Sequence, residues 1–147
     1  MGLLKRIFRK IFLVKEIISK EGAVHFRRYR LLQTPWFAFY IHQILRSDMD
    51  ADPHDHPWNF SSLILSGSYI ERCRLAPFFD KMYVQQFYQG DVIKHKAEDA
   101  HQLSLQSKEV WTLVFTSGRS RVWGYQTKNG WVDFKTYREM KNSSSLD

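Results

Sequence analysis

Three histidines carry the most distinctive chemistry in this sequence. His54 and His56 are separated only by Asp55, within His54-Asp55-His56-Pro57-Trp58-Asn59-Phe60, and His101 answers them far along the chain. Side chains of an extended segment alternate between its faces, so His54 and His56 point one way and Asp55 the other. Two imidazoles so placed can converge on one metal ion. A third from a distant strand completes a three-sided set and leaves positions open for water, substrate or dioxygen. His101 is in phase with Leu103 and Leu105, which turns its ring inward, where an unpartnered polar group is costly and a metal would satisfy it. Neutral imidazoles suit Fe(II), Co, Ni, Mn, Cu or Zn(II), and no cysteine neighbours them in sequence to prefer a soft ion. Three neutral ligands leave the ion's double charge whole, which favours an anionic substrate or a bound hydroxide.

Other side chains are placed around this set by strand phase. Tyr69 and Glu71 share a phase and are the acid/base candidates, although Glu71 could equally pair with Arg72, Arg74 or Arg121 at the surface. His95 is read as a fourth ligand, an acid/base group at the pocket mouth, or an ordinary exposed histidine. Arg121 shares a phase with Trp123 and Tyr125, and an arginine on an aromatic face can hold a carboxylate or phosphate with two hydrogen bonds. Phe60 would wall the pocket, and Trp58 either walls it as well or belongs to the core. His25 and His42 are read as structural. Cys73, the only cysteine, excludes an internal disulfide, reads as a small buried hydrophobe and fits a reducing cytosol.

The elements that must position these residues are mostly short strands. Trp36–Ile41, Phe60–Leu65, Ser68–Arg74, Met82–Tyr88, His101–Leu105, Val110–Thr116, Arg121–Gln126 and Trp131–Phe134 are rich in aromatic and β-branched residues and separated by Gly, Pro, Asp and Ser. Many short strands at close spacing predict an antiparallel sandwich or barrel. Asn129-Gly130 predicts a two-residue hairpin. A short helix is expected over Tyr137–Lys141, followed by a disordered tail at residues 142–147.

The N-terminus differs in texture. Leu3, Leu4, Ile7, Phe8, Ile11, Phe12, Ile17 and Ile18 recur at helical spacing between Lys and Arg, which predicts a basic amphipathic helix stopped near Gly22. Residues 1–30 hold nine Lys and Arg against Glu16 and Glu21, while the rest of the chain balances its charges. The net charge of +7 therefore belongs to this extension and not to a nucleic-acid-binding face, and no sequence-specific nucleic-acid partner is expected. The helix could pack on the domain or a sister subunit, or lie on an anionic membrane or phosphate-rich surface. The sequence shows no run long enough to span a bilayer, and a cytoplasmic protein is expected.

The histidine spacings resemble those of the cupins, whose motifs are Gly-x5-His-x-His-x3,4-Glu-x6-Gly and Gly-x5-Pro-x-Gly-x2-His-x3-Asn. This chain reads His54-x-His56-x3-Phe60-x6-Gly67 and Gly90-x5-Lys96-x-Glu98-x2-His101-x3-Leu105. The resemblance covers about residues 40–125. It implies an all-β fold, the double-stranded β-helix or jelly-roll barrel, over residues 31–141, with residues 1–30 as an added helical extension and a metal held by His54, His56 and His101. The family's glutamate ligand is replaced by Phe60, its Pro and Gly by Lys96 and Glu98, and its Asn by Leu105. A three-histidine site without a carboxylate is similar to the thiol dioxygenase branch and to small bacterial and phage cupins of unassigned activity. The resemblance therefore implies a mononuclear metalloenzyme, Fe(II) favoured, of dioxygenase type and acting on a small anionic molecule. The alternatives are a non-catalytic ligand-binding module, or a metal-independent sugar or nucleotide isomerase or epimerase. A homodimer paired through sheet edges is expected.

Overall fold

The structure is a computed structural model that describes residues 12–18 and 22–144. Its strands are β1 (Leu13–Ile18), β2 (Val24–Gln33), β3 (Phe37–Ile44), β4 (Phe60–Ser66), β5 (Ser68–Arg74), β6 (Tyr83–Tyr88), β7 (Val92–His95), β8 (Ala100–Leu105), β9 (Val110–Ser117), β10 (Gly124–Thr127) and β11 (Gly130–Asp133). Helix α1 (Phe134–Ser144) follows. All named pairings are antiparallel. One sheet has the order β1-β2-β3-β9-β4-β7, a second β6-β5-β8, and β10-β11 form a hairpin. This is an all-β antiparallel architecture, as the short strands predict, with the jelly-roll form that the resemblance implies.

Alternation decides what each sheet turns inward. Val110, Thr112, Val114 and Thr116 of β9 are buried, as are Tyr69, Glu71 and Cys73 of β5 and Ile93 and His95 of β7. The apolar end of the interior is Ile64, Tyr69, Ile93 and Val110, packed on by Ile44, Phe87, Leu103 and Leu105 from both sheets. A second cluster, Ala38, Tyr40 and Val114 with Phe60, leads toward the other end, where the buried side chains become polar. The strand turns need their glycines. Gly67, between β4 and β5, has φ +86°, and a Cβ there would stand 2.3 Å from the Glu109 carbonyl oxygen. Gly90, before β7, has φ +94°, a conformation that disfavours any side chain.

The expected N-terminal helix falls partly on residues 1–11, which lie outside the described residues. Over Leu13–Ile18 the expectation is corrected: this segment is a strand, paired with β2, and Gly22 precedes β2 instead of ending a helix. The physical reason is the neighbouring edge. β2 offers a row of backbone groups, and the β-branched Ile17 and Ile18 suit pairing with it better than a helix of their own. Glu16 lies opposite Arg27 and accepts its Nε–H at 2.6 Å. Within the basic segment, β1 and the first part of β2 thus belong to the larger sheet. Three further boundaries shift. The β10–β11 loop is Lys128-Asn129, one residue earlier than expected, with Gly130 at φ +108° opening β11. Trp36, Met82, Arg121–Trp123 and Phe134, expected at strand ends, lie outside the observed strands. Helix α1 runs on to Ser144, so Asn142–Ser144 are helical, and residues 145–147 lie outside the described part. Asp133 caps α1, accepting from the Lys135 and Thr136 backbone N–H groups at 3.0 and 3.2 Å. Among the described residues no helix is long and apolar enough to cross a membrane.

A candidate metal centre at the polar end of the barrel

The His54–His56 segment lies outside the named strands, yet it is held as an extended one. His54 N–H donates to the His101 carbonyl at 2.9 Å and His101 N–H to the His54 carbonyl at 2.8 Å. Asp55 N–H reaches the Gly124 carbonyl at 2.9 Å and His56 N–H the Ala97 carbonyl at 3.0 Å. The segment is thereby threaded between β8 and β10. Asp55, 1% exposed and on the opposite face from the histidines, secures it from behind. Its carboxylate accepts from Gly124 N–H at 2.6 Å and Trp131 Nε1–H at 2.8 Å, and it is ion-paired with Arg121.

The three imidazoles converge as the spacing predicts. One ring nitrogen from each of His54, His56 and His101 lies within 4.8 Å of the others. His56 Nε2 and His101 Nε2 are 2.8 Å apart. Two nitrogens bound at right angles to one ion, each ~2.1 Å from it, stand ~3.0 Å apart, so this spacing fits neighbouring positions on a metal. Burial, followed by the neighbouring histidine charges, pushes the His56 pKa well below the ordinary value, and burial lowers that of His54. Both rings are therefore held in the neutral, ligating form. Burial is the largest influence and opposes a charged His101 as well, but the hydrogen bond to Glu71 together with the charges of Glu71, Asp48 and Asp99 raises its pKa.

Glu71, which the strand phase turned inward as an acid/base candidate, meets two of the histidines. It is 1% exposed and its Oε1 accepts from His101 Nδ1–H at 2.5 Å and from His95 Nε2–H at 3.0 Å. Burial resists ionisation of Glu71, yet the two imidazole hydrogen bonds hold its carboxyl far below the usual carboxylate range. A carboxylate on His101 Nδ1 fixes the tautomer whose Nε2 lone pair faces the other histidines, the arrangement that supports metal-bound imidazoles. The surface pairing of Glu71 with Arg72, Arg74 or Arg121 is excluded by this burial.

His95 is not an exposed histidine: it is buried on Glu71, with Nδ1 3.7 Å from Asp99. It bonds Glu71 through Nε2, and its ring stands 5.1 Å from that of His101. Cys73 is buried beside Glu71 and directly opposite His101 in the strand register, closer to the histidines than the sequence indicates. Burial and then the Glu71 charge push its thiol pKa up, so it is no thiolate.

Phe60 walls the centre, its ring 4.8 Å from His56, 5.2 Å from His95 and 5.7 Å from His101. Trp123 and Tyr125 form a further wall, 6.4 and 6.3 Å from the His54 ring. The hairpin and α1 hold both, since Trp123 stacks on Phe134 at 4.9 Å and Tyr125 on Tyr137 at 3.8 Å. Two expectations, those for Tyr69 and Arg121, are corrected. Tyr69 belongs to the apolar cluster at the far end of the barrel, because the phase that puts Glu71 at the histidines leaves Tyr69 two residues deeper. Arg121 is committed to Asp55 and the Ala97 carbonyl, at 3.2 Å for the latter, and lies across the Trp131 ring instead of facing a substrate. Trp58 stacks under Arg28, whose guanidinium carbon is 5.5 Å from its ring centre. Sequence reasoning missed Asp55 as an anchor and missed Arg28 altogether. Alternation placed Asp55 on the back face, but nothing local showed what it would meet there.

No family model matches this chain, and no curated protein matches it by sequence. Solved structures match it in shape. The Fe(II) form of HppE aligns at a TM-score of 0.56 and 10% identity, over 69% of this chain and 54% of its own. HEPD from Streptomyces albus, solved with 2-hydroxyethylphosphonate and Fe(II) bound, aligns at 0.55 and 18% identity, over 72% of this chain and 25% of its own. KdgF from Halomonas sp. aligns at 0.51 and 14% identity, over 74% of this chain and 94% of its own. The fold is of the cupin type. This chain spans about half the length of HppE and a quarter of that of HEPD. At these identities the likeness speaks to the fold, and the argument for function returns to the residues at the polar end of the barrel.

Proposed function

We propose that this protein is a mononuclear metalloenzyme, with Fe(II) as the favoured ion, that oxidises a small anionic molecule in the manner of a dioxygenase. The observation that carries the reading is the convergence of His54, His56 and His101, with Glu71 fixing the third ring and Phe60 standing where a carboxylate ligand would be expected. The donor set fits a divalent transition metal: three imidazoles, two of them kept neutral by burial, and nitrogens spaced for adjacent coordination positions. Fe(II) bound there would supply one-electron chemistry toward dioxygen and open coordination positions for substrate.

The chain's own residues do the rest. Glu71 holds the proton on His101 Nδ1, so that Nε2 remains a donor to the ion. Phe60 adds no negative charge, and an uncompensated dication attracts an anionic ligand. Phe60, Trp123 and Tyr125 exclude water along the walls and favour a substrate with an apolar part next to its charged group. HppE and HEPD, both described with Fe(II), and HEPD with a phosphonate substrate, support the choice of ion and of substrate class.

Elemental analysis of full-length protein prepared without added metal or chelator tests this reading, alongside a His54→Ala/His56→Ala variant. The expected result is close to one iron per chain, lost in the variant, with oxygen uptake on a small acid, thiol or phosphonate. Stoichiometric zinc or nickel would keep the site and redirect the search to hydrolysis, isomerisation or binding. No metal in either protein would overturn the proposal in favour of a ligand-binding module, which the apolar Phe60 also suits.

A further inference from the structure

Arg28 is a cation of the larger sheet whose charge reaches the histidines. It lies on β2 opposite His42, and its Nε–H donates to His42 Nε2 at 2.9 Å. Burial, then the charge of Arg28, keeps His42 well below the ordinary histidine range, so His42 stays a neutral acceptor. The guanidinium carbon lies 4.9 Å from the Tyr40 ring centre, 5.5 Å from that of Trp58 and 5.7 Å from that of Phe26. Aromatic faces on several sides fix the plane of the guanidinium and leave its outer edge free.

Among the described residues no carboxylate pairs with Arg28, and Nη1 and Nη2 find no acceptor. Its neighbours are different: Arg27 is paired with Glu16, Arg121 with Asp55 and Lys141 with Asp50. The charge of Arg28 is felt at His56, and Trp58, two residues beyond His56, forms one wall of its box. Lys15, opposite Arg28 on β1, adds a second cation without a carboxylate partner among the described residues. A positive charge taken out of water and left uncompensated is costly unless something arrives to neutralise it.

We propose that Arg28 is an oxyanion-recognition site. Its two Nη nitrogens take the carboxylate, phosphonate or phosphate headgroup of a small molecule, two oxygens to the fork, with Lys15 adding charge and the remainder of the molecule reaching toward His56. The assignment deepens the proposed function and supplies the substrate contact that Arg121 does not provide. That the bound molecule reacts rests on the metalloenzyme reading; that Arg28 binds the anion does not.

The test is calorimetric titration of the full-length protein with methylphosphonate and with acetate, as purified and again after chelation. Wild type is compared with Arg28→Lys and Arg28→Gln. The expected result is saturable binding of at least one probe, weakened by salt. Arg28→Gln lowers the affinity about tenfold or more, and Arg28→Lys, which keeps the charge and loses the fork, lowers it several-fold. If Arg28→Gln fails to fold by circular dichroism, Arg28→Lys decides alone. No binding to wild type up to about 50 mM, where even a weak site saturates, or equal affinities in wild type and Arg28→Lys, would overturn the assignment. Binding that depends on Arg28 and survives chelation, in a protein that carries no metal, would leave the anion site standing while the metalloenzyme reading falls.

Discussion

One oxygen of Glu71 accepts hydrogen bonds from two imidazoles, and much of the chemistry at this centre depends on it. The reading of His54, His56 and His101 as a set needs only alternation and spacing, which are local properties, and that is why the set was legible in the sequence. The role of Glu71 was half legible. Its phase turned it inward, but that His101 and His95 would both meet it depends on β5 lying beside β8, which no local pattern states. Glu71→Gln tests the role while keeping the shape: the amide oxygen still accepts, and the negative charge that makes His101 a strong donor to a cation is lost. The expected outcome is a fold retained by circular dichroism and a metal affinity lowered about 10- to 100-fold in competition with a chromogenic chelator, the range for loss of such a supporting carboxylate. Unchanged affinity would mean that the hydrogen bond does not tune the site.

The elements that position the histidines were legible where strands alternate and obscure where they do not. Ser68–Arg74 was predicted to the residue, because Tyr69, Glu71 and Cys73 face in while their neighbours face out. β1 was read as helix because Ile17 and Ile18 fall on a helical stripe with the apolar residues before them. In the structure the two isoleucines are half-exposed on an edge strand, where adjacent apolar residues carry no periodic signal. The same misreading hid Arg28, since a strand read as the end of a helical extension cannot point a side chain into a barrel. The β10–β11 hairpin was found through its Asn-Gly turn signal, but its purpose lies in Asp55, which ties it to the histidine segment. Asp55→Asn removes the charge opposite Arg121 and leaves a buried hydrogen-bonding set imperfectly satisfied, at a cost of about 1–3 kcal/mol. For a chain of this size that lowers Tm by roughly 3–10 °C. Differential scanning calorimetry should show this drop together with weaker metal retention, because His54 and His56 flank the anchor. A drop in Tm with metal affinity intact would show that the hairpin stabilises the barrel without setting the site.

Taken whole, the barrel has an apolar end around Ile64 and Val110 and a polar end where histidines, acids and Arg28 are withdrawn from water. Such an interior makes stability depend on pH, and His42 allows the dependence to be assigned to one group. Burial and Arg28 depress its folded-state pKa, and His42 lies on β3, bonded to Arg28. The unfolded chain binds a proton at His42 below about pH 6.5, while the folded chain refuses it, so unfolding is favoured progressively as pH falls through that range. Above it both states are neutral and the group has no effect. At about pH 5.5 the loss approaches about 1.4 kcal/mol relative to pH 7.5. His42→Gln keeps an acceptor for Arg28 Nε–H and removes the titration. Urea unfolding of chelated protein should therefore show the variant losing less stability than wild type between these two pH values, by about that amount, with the other histidines contributing equally to both. Identical losses would mean that His42 is protonated in the folded protein, and that Arg28 is not held by a neutral imidazole.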